Sequence, residues 1–218
     1  MQGQLDYTTN TRRFPPDDLP LLTASLRLPR WDGPGGSRFN RYYAAYGRAF
    51  FSYCQSELLP RAVSALELAR GCGGPIPEWT VTLDTVVTLQ REDLLSLYTD
   101  TVERSGGRPL ILRRADTWDL ARGSPLPLSD LFPGQSLWKG RLLRSVAQQI
   151  RQQQEQGTAL YRPDWRRHLH TAFSGDRFYL TEDRLCLFCQ MYAIAPPVEG
   201  IPVFSIPYDA EKGPRLPA

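Results

Sequence analysis

Residues 178–208, FYLTEDRLCLFCQMYAIAPPVEGIPVFSIPY, carry the pattern from which the architecture follows. In an extended chain Leu185, Leu187, Cys189 and Met191 fall on one side and Cys186, Phe188, Gln190 and Tyr192 on the other, because side chains alternate along a strand. Both faces are largely apolar. Such a strand needs cover on both sides, which places it centrally in a sheet with helices or a second layer packed over it. Phe178 to Thr181 reads as the preceding strand, and Glu182, Asp183 and Arg184 as a polar turn of hairpin length, so the two strands pair antiparallel. Beyond Tyr192, Pro196 and Pro197 cannot donate to a ladder, and Gly200 admits a backbone conformation closed to other residues. The chain therefore stops and turns a rigid corner. Ile201 to Ile206 resumes an extended pattern bracketed by Pro202 and Pro207, which makes it an edge strand or one that leaves the sheet quickly.

Working outward, Leu22, Ala24, Leu26 and Leu28 alternate with Thr23, Ser25 and Arg27, the signature of a strand with one wet face. After the glycine- and proline-rich loop at 32–37, Phe39, Tyr43, Tyr46, Phe50, Tyr53 and Leu58 recur at helical intervals across 39–70. Pro60 kinks that helix or begins a second one, and Gly71, Gly73 and Gly74 end it. Residues 78–89, 94–103 and 110–120 read as three consecutive strands, the last two joined at Gly106-Gly107, and so as a meander. Residues 135–156 form an amphipathic helix, with Trp138, Leu142, Val146 and Ile150 four apart and Gly157 as its C-cap. Asp164 is placed to cap a short helix carrying Trp165, Leu169 and Phe173. The expectation is an α+β chain: an antiparallel β-sheet with two main α-helices packed on it, in a single compact domain over residues 20–208. Residues 1–19 and 209–218 read as tails.

The 178–208 run resembles the C-terminal domain of the RsiV-like family, known from membrane-bound anti-sigma factors that sense lysozyme and found beside polysaccharide deacetylases. The resemblance rests on the Phe178-Tyr179-Leu180-Thr181-Glu182-Asp183 turn, the apolar strand, Tyr192-Ala193-Ile194-Ala195-Pro196, Gly200-Ile201-Pro202 and Ile206-Pro207-Tyr208. Upstream it extends to Trp118-Asp119-Leu120 with Gly123, Pro127-Leu128, Asp130-Leu131-Phe132 and Phe39-Asn40. Two positions depart from the family pattern: Arg184 stands where a glycine is usual, and Pro197 where an aromatic is usual. The resemblance implies a binding or sensor domain with no catalytic role, and a partner that is a lysozyme-like hydrolase or a cell-wall-related glycan.

Composition narrows the alternatives. The 218 residues are 41% hydrophobic, enough for one domain burying on the order of 70% of its unfolded surface. With 26 basic against 23 acidic residues the charge is close to balanced, which does not favour nucleic acid. Arg141, Arg144 and Arg151 fit a solvated helix face opposite Trp138, Leu142 and Val146, without interleaved stacking aromatics. No window has the length and apolarity of a signal peptide or membrane span, and the chain opens on Met1, so the expectation is a stand-alone soluble and cytoplasmic relative of a family whose sensors are often anchored and extracytoplasmic.

Candidates for chemistry are few. Cys186 and Cys189 have C-x-x-C spacing, which on a tight turn suits zinc or a redox pair, but on a strand residues three apart face opposite ways. Cys54 and Cys72 complete a set of thiols expected to be reduced. His168 and His170 are two apart and lack an H-E-x-x-H context. Carboxylates such as Asp84, Glu92, Asp93, Asp100, Glu103, Asp119, Asp130 and Glu199 are scattered singly, and neither a G-x-S-x-G elbow nor a P-loop occurs. The expectation is a protein that is not an enzyme, with no cofactor and no metal; the alternatives are a cytoplasmic interaction or regulatory protein without the sensor role, or an enzyme of cell-wall metabolism whose site has no sequence signature. Its candidate ligand-contact surface is the corner, with Tyr192, Pro196, Pro197, Glu199 and Tyr208; the alternative at that corner is that the prolines only turn the chain and the tyrosines are core.

Overall fold

The computed structural model describes residues 3–15, 21–76, 78–91, 93–209, 211 and 213–217. The expected domain edge at residues 19–20 and the carboxylate of Glu92 lie outside them. The fold is α+β. Strands β1 (Leu5–Phe14), β2 (Leu22–Trp31), β3 (Trp79–Arg91), β4 (Leu94–Arg104), β5 (Leu110–Asp119) and β6 (Ser124–Pro125) lie in that order in a six-stranded sheet. Strands β7 (Phe178–Leu180), β8 (Arg184–Phe188) and β9 (Val203–Pro207) form a second sheet in which β8 is central. The helices are α1 (Gly36–Tyr53), α2 (Leu59–Cys72), α3 (Trp138–Gln156) and α4 (Trp165–Ala172). Contacts gather into two compact units: residues 1–85, 99–111 and 120–123, and residues 86–98, 112–119 and 124–218.

In the first unit α1 packs on β2, burying Phe39, Tyr43, Phe50 and Phe51. Gly47 permits the close approach, since a Cβ there would stand 3.0 Å from Leu28 Cδ1 and 3.3 Å from Leu26 Cδ2. The helix starts at Gly35, in the left-handed region at φ 72°, where a side chain would collide with the Leu120 carbonyl. Ahead of Pro60, the chain widens into a π-helical turn at Cys54–Leu58, and Pro60 then falls in the first turn of α2, where its missing N–H costs nothing. Gly73, at φ 64°, closes the helix as its spacing predicts.

Two features of this unit differ from the expected antiparallel sheet behind a tail. Leu5–Phe14 is not a tail but pairs antiparallel with β2 over its whole length, Leu5 opposite Trp31 and Phe14 opposite Leu22. Its residues show no apolar alternation because it is an edge strand with almost nothing buried. Strands β2 and β3 pair parallel, Leu22 opposite Trp79 and Arg27 opposite Asp84, because the helical stretch from α1 to α2 intervenes as a crossover.

In the second unit β8 meets the expectation of a strand covered on both faces, but it ends at Phe188 rather than running to Tyr192. Leu185 and Leu187 join a core with Leu142, Val146 and Ile150 of α3 and Trp165 and Leu169 of α4. Cys186 and Phe188 face the other way, onto Ala115 of β5, with Tyr98 and Tyr179 beside them. Just past its end the Gln190 side chain clamps β5: its Oε1 accepts the Arg113 N–H at 3.1 Å and its Nε2 donates to the Arg113 carbonyl. The second cover is thus the main sheet, and the β7 backbone is tied to it directly. The Leu180 N–H donates to the buried Ser96 Oγ at 2.8 Å, and Ser96 shares a further 2.8 Å hydrogen bond with Thr117 Oγ1.

The hairpin between β7 and β8 needs no glycine at Arg184. Thr181 Oγ1 donates to Asp183 at 3.0 Å and the Thr181 N–H to the Arg184 carbonyl at 3.0 Å, which closes the turn through a side chain. Tyr208 braces it from β9: its hydroxyl donates to the Thr181 carbonyl at 2.9 Å and its N–H to the Asp183 carbonyl at 3.3 Å.

Ser96→Ala strands a buried backbone donor, so it is expected to lower the unfolding free energy by about 1–3 kcal/mol in urea titrations. Tyr208→Phe, which removes only the hairpin brace, is expected to cost about 0.5–1.5 kcal/mol.

Candidate functional site

The corner after β8 is built from a short chain of backbone hydrogen bonds. The Ala193 N–H reaches the Gln190 carbonyl at 3.0 Å, the Arg162 N–H reaches the Ile194 carbonyl at 3.0 Å, and Pro197–Glu199 forms one 3-10 turn ending at Gly200, φ 63°. Glu199 Oε1 accepts the Leu160 N–H at 3.0 Å. The loop at 160–162 is therefore fastened to the corner at two points, and a third side chain secures it from α3, where Gln153 accepts a hydrogen bond from the Tyr161 hydroxyl. Burial first, and then the Glu199 charge, push the Tyr161 phenol up to about 12, so it remains a donor at neutral pH.

On this fixed backbone three large apolar side chains point to solvent: Tyr192 is 47% exposed, Leu160 60% and Val198 62%. Tyr192 also has φ 70°, the left-handed region that non-glycine residues avoid. Holding an aromatic residue there costs about 1–2 kcal/mol, and a residue so strained and yet exposed contributes little to the core that would offset it.

The structure sorts the sequence candidates. Tyr192, Pro196, Pro197 and Glu199 fall within the corner, with Glu199 committed to holding it together. Tyr208 does not join them, because its ring packs against the core and its hydroxyl is spent on the β7–β8 hairpin. Leu160 carries no sequence signal, being an isolated apolar residue in a polar loop, and only the fold fastens it to the Glu199 carboxylate; Val198 lies within the proline corner, next to Glu199 in sequence. The pair Cys186 and Cys189 divides as strand geometry dictates, one in each apolar cluster. Burial raises the Cys54 thiol to about 12 and the Cys189 thiol to about 11, away from the range in which a thiolate attacks at neutral pH. Asp164 stands at the N-cap of α4, but its carboxylate serves His168 Nε2, 2.8 Å away, rather than a backbone N–H; that pairing holds it below the usual carboxylate range. His170 borders a shallow cleft between α3 and α4 with Arg144, Arg151 and Arg166.

No helix among the described residues is long and apolar enough to cross a membrane. A family profile described as "Protein of unknown function (DUF3298)" matches residues 129–209, which takes in the corner and the 178–208 run. The solved structure of a DUF3298 family member from Bacteroides fragilis superposes with TM-score 0.63 at 15% identity, over 95% of this chain and 90% of that one. A DUF3298 family protein from Pseudomonas aeruginosa gives TM-score 0.62 at 17% identity, over 97% and 96% of the two chains. At such identities the likeness establishes a shared fold. No curated protein matches the sequence.

Neutral, buried thiols favour the folded state below their ordinary pKa near 9.0, and that contribution is lost as pH rises from there toward the folded value of about 11 for Cys189. Melting temperature is expected to fall between pH 9 and 11 in the parent chain and to fall less in Cys189→Ala. Under native conditions Ellman's reagent is expected to label the exposed Cys72 quickly and the three buried thiols only on unfolding.

Proposed function

We propose that the chain is a non-catalytic binding domain that docks a protein ligand on the corner at residues 192–200, as the resemblance to the RsiV-like sensors implies. The observation that carries this reading is the exposure of Tyr192, Val198 and Leu160 on a backbone already held in one conformation. Pre-ordering lowers the entropy cost of association, so three apolar side chains contribute more affinity here than on a free loop. Aromatic anchors of this kind are the common centre of protein interfaces. The strain at Tyr192 fits the same reading, because a position selected only for stability would carry glycine at that φ.

The non-catalytic part of the reading is supported by how the reactive side chains are spent. The thiols of Cys54 and Cys189 are neutral and enclosed, and His168 is paired with Asp164 on the exposed side of α4. A lysozyme-like hydrolase is the first ligand to test, with soluble muropeptides as the glycan arm. Pro197 in place of the family's usual aromatic leaves Tyr192 as the ring that such a ligand would meet.

The test measures binding of a lysozyme-type hydrolase to the immobilised chain. Val198→Asp is expected to weaken it by about tenfold or more, and Tyr192→Gly to weaken binding while raising the melting temperature, since glycine relieves the strained φ. Binding unchanged in both variants, or binding of muropeptides in place of the protein, would discard this surface as a protein-docking site.

A further inference from the structure

Between α1 and the face of β1 and β2 lies a half-open cavity of about 420 Å³ that the corner does not involve. Its size falls within the range of small-molecule pockets, roughly 300–1,000 Å³. The cavity exists because of a mismatch in side-chain chemistry along the register. Leu26 and Leu28 face α1 from β2, but their partners on β1 are Asn10 and Thr8, and Arg12 stands opposite Ala24. Strand β1 therefore offers polar side chains where an apolar layer would close the gap, while Ala44 and Gly47 on α1 are too small to reach across. The floor is apolar, and Leu26, Leu28 and Phe51 belong to the core.

The rim is cationic: Arg12, Arg30 and Arg48 line the cavity, and among the described residues no carboxylate does. Helix α1 carries three arginines and no acidic residue. The Arg12 guanidinium lies 4.2 Å over the Phe51 ring, which holds it at the mouth. On β1 Asp6 stands opposite Arg30 at the Trp31 end, and its Oδ1 accepts the Tyr7 N–H at 2.7 Å. Among the described residues no ion pair engages Arg12 or Arg48. Asn40 is not available to a ligand, because its amide is spent on both the N–H and the carbonyl of Trp31, at 2.9 and 2.8 Å.

The geometry points to a binding site for an amphipathic carboxylate, its aliphatic body lying over Leu26, Leu28 and Ala44 and its head group forked between Arg12 and Arg48. Paired guanidinium donors suit a carboxylate because both oxygens accept, and partial enclosure strengthens the attraction over its value in water. The inference stands independently of the corner.

The probe is dodecanoate, titrated into the full chain by calorimetry below its micelle concentration, with dodecanol as the neutral analogue and dodecyl phosphate as the second anion. One-to-one binding of dodecanoate is expected, with dodecanol at least about tenfold weaker. Arg12→Gln and Arg48→Gln are each expected to weaken dodecanoate several-fold and leave dodecanol unchanged. Ala44→Trp, which fills the cavity from an exposed position, is expected to abolish binding of both. Equal affinity for dodecanoate and dodecanol, or binding that survives Ala44→Trp, would overturn the site; dodecyl phosphate binding more than about tenfold tighter than dodecanoate would overturn the carboxylate assignment.

Discussion

Strand β8 has no side that water can occupy. Leu185 and Leu187 require apolar cover on one face, Cys186 and Phe188 on the other, and the α3–α4 layer and the β4–β5 surface provide it. Each covering element is in turn constrained by this demand. Helix α3 turns its Leu142, Val146 and Ile150 stripe toward the strand, which leaves Arg144 and Arg151 at the cleft beside α4. Strands β4 and β5 put buried Ser96 and Thr117 close to the small sheet, and a polar pair at that depth is tolerable only because the Leu180 N–H completes it. Truncating Leu185 to alanine would cost about 2–5 kcal/mol on the α3–α4 side.

Where the ladders end, primary amides take over. Asn40 in the first unit and Gln190 in the second each present a carbonyl oxygen and an NH2 group to one residue's backbone, Trp31 and Arg113 respectively, as a neighbouring strand would. An asparagine or glutamine side chain carries the donor and acceptor pair of a peptide unit, so one residue satisfies two backbone groups that would otherwise be orphaned. At Gln190 the amide ties the chain to β5 just before the corner begins.

The two candidate binding surfaces differ in kind. The corner presents exposed apolar side chains on a hydrogen-bonded backbone, which suits a large partner. The cavity on α1 is concave, with an apolar floor and a cationic rim, which suits a small one. Neither uses the reactive side chains of the sequence, because cysteines at 54, 186 and 189 are enclosed as apolar groups and His168 is held by Asp164.

What the residues alone determine is everything that depends on periodicity and on proline or glycine: the two-faced β8, its antiparallel hairpin with β7, the proline-bracketed β9, the α1 and α3 stripes, Gly73 and Gly157 as C-caps, and the separation of Cys186 from Cys189. These are local rules, satisfied within a few residues of chain. What only the tertiary structure decided is whatever depends on a partner distant in sequence. Strand β1 is polar and acquires its conformation from β2; the parallel β2–β3 pairing follows from the crossover; past the end of β8, Gln190 meets Arg113; Tyr208 leaves the candidate site for the hairpin. Leu160 joins the corner only through Glu199, 39 positions from the backbone N–H it accepts. Hydrophobic alternation records which residues must leave water, but not which distant group will satisfy a freed hydrogen bond or line a gap, since those depend on side chains that the local pattern does not contain.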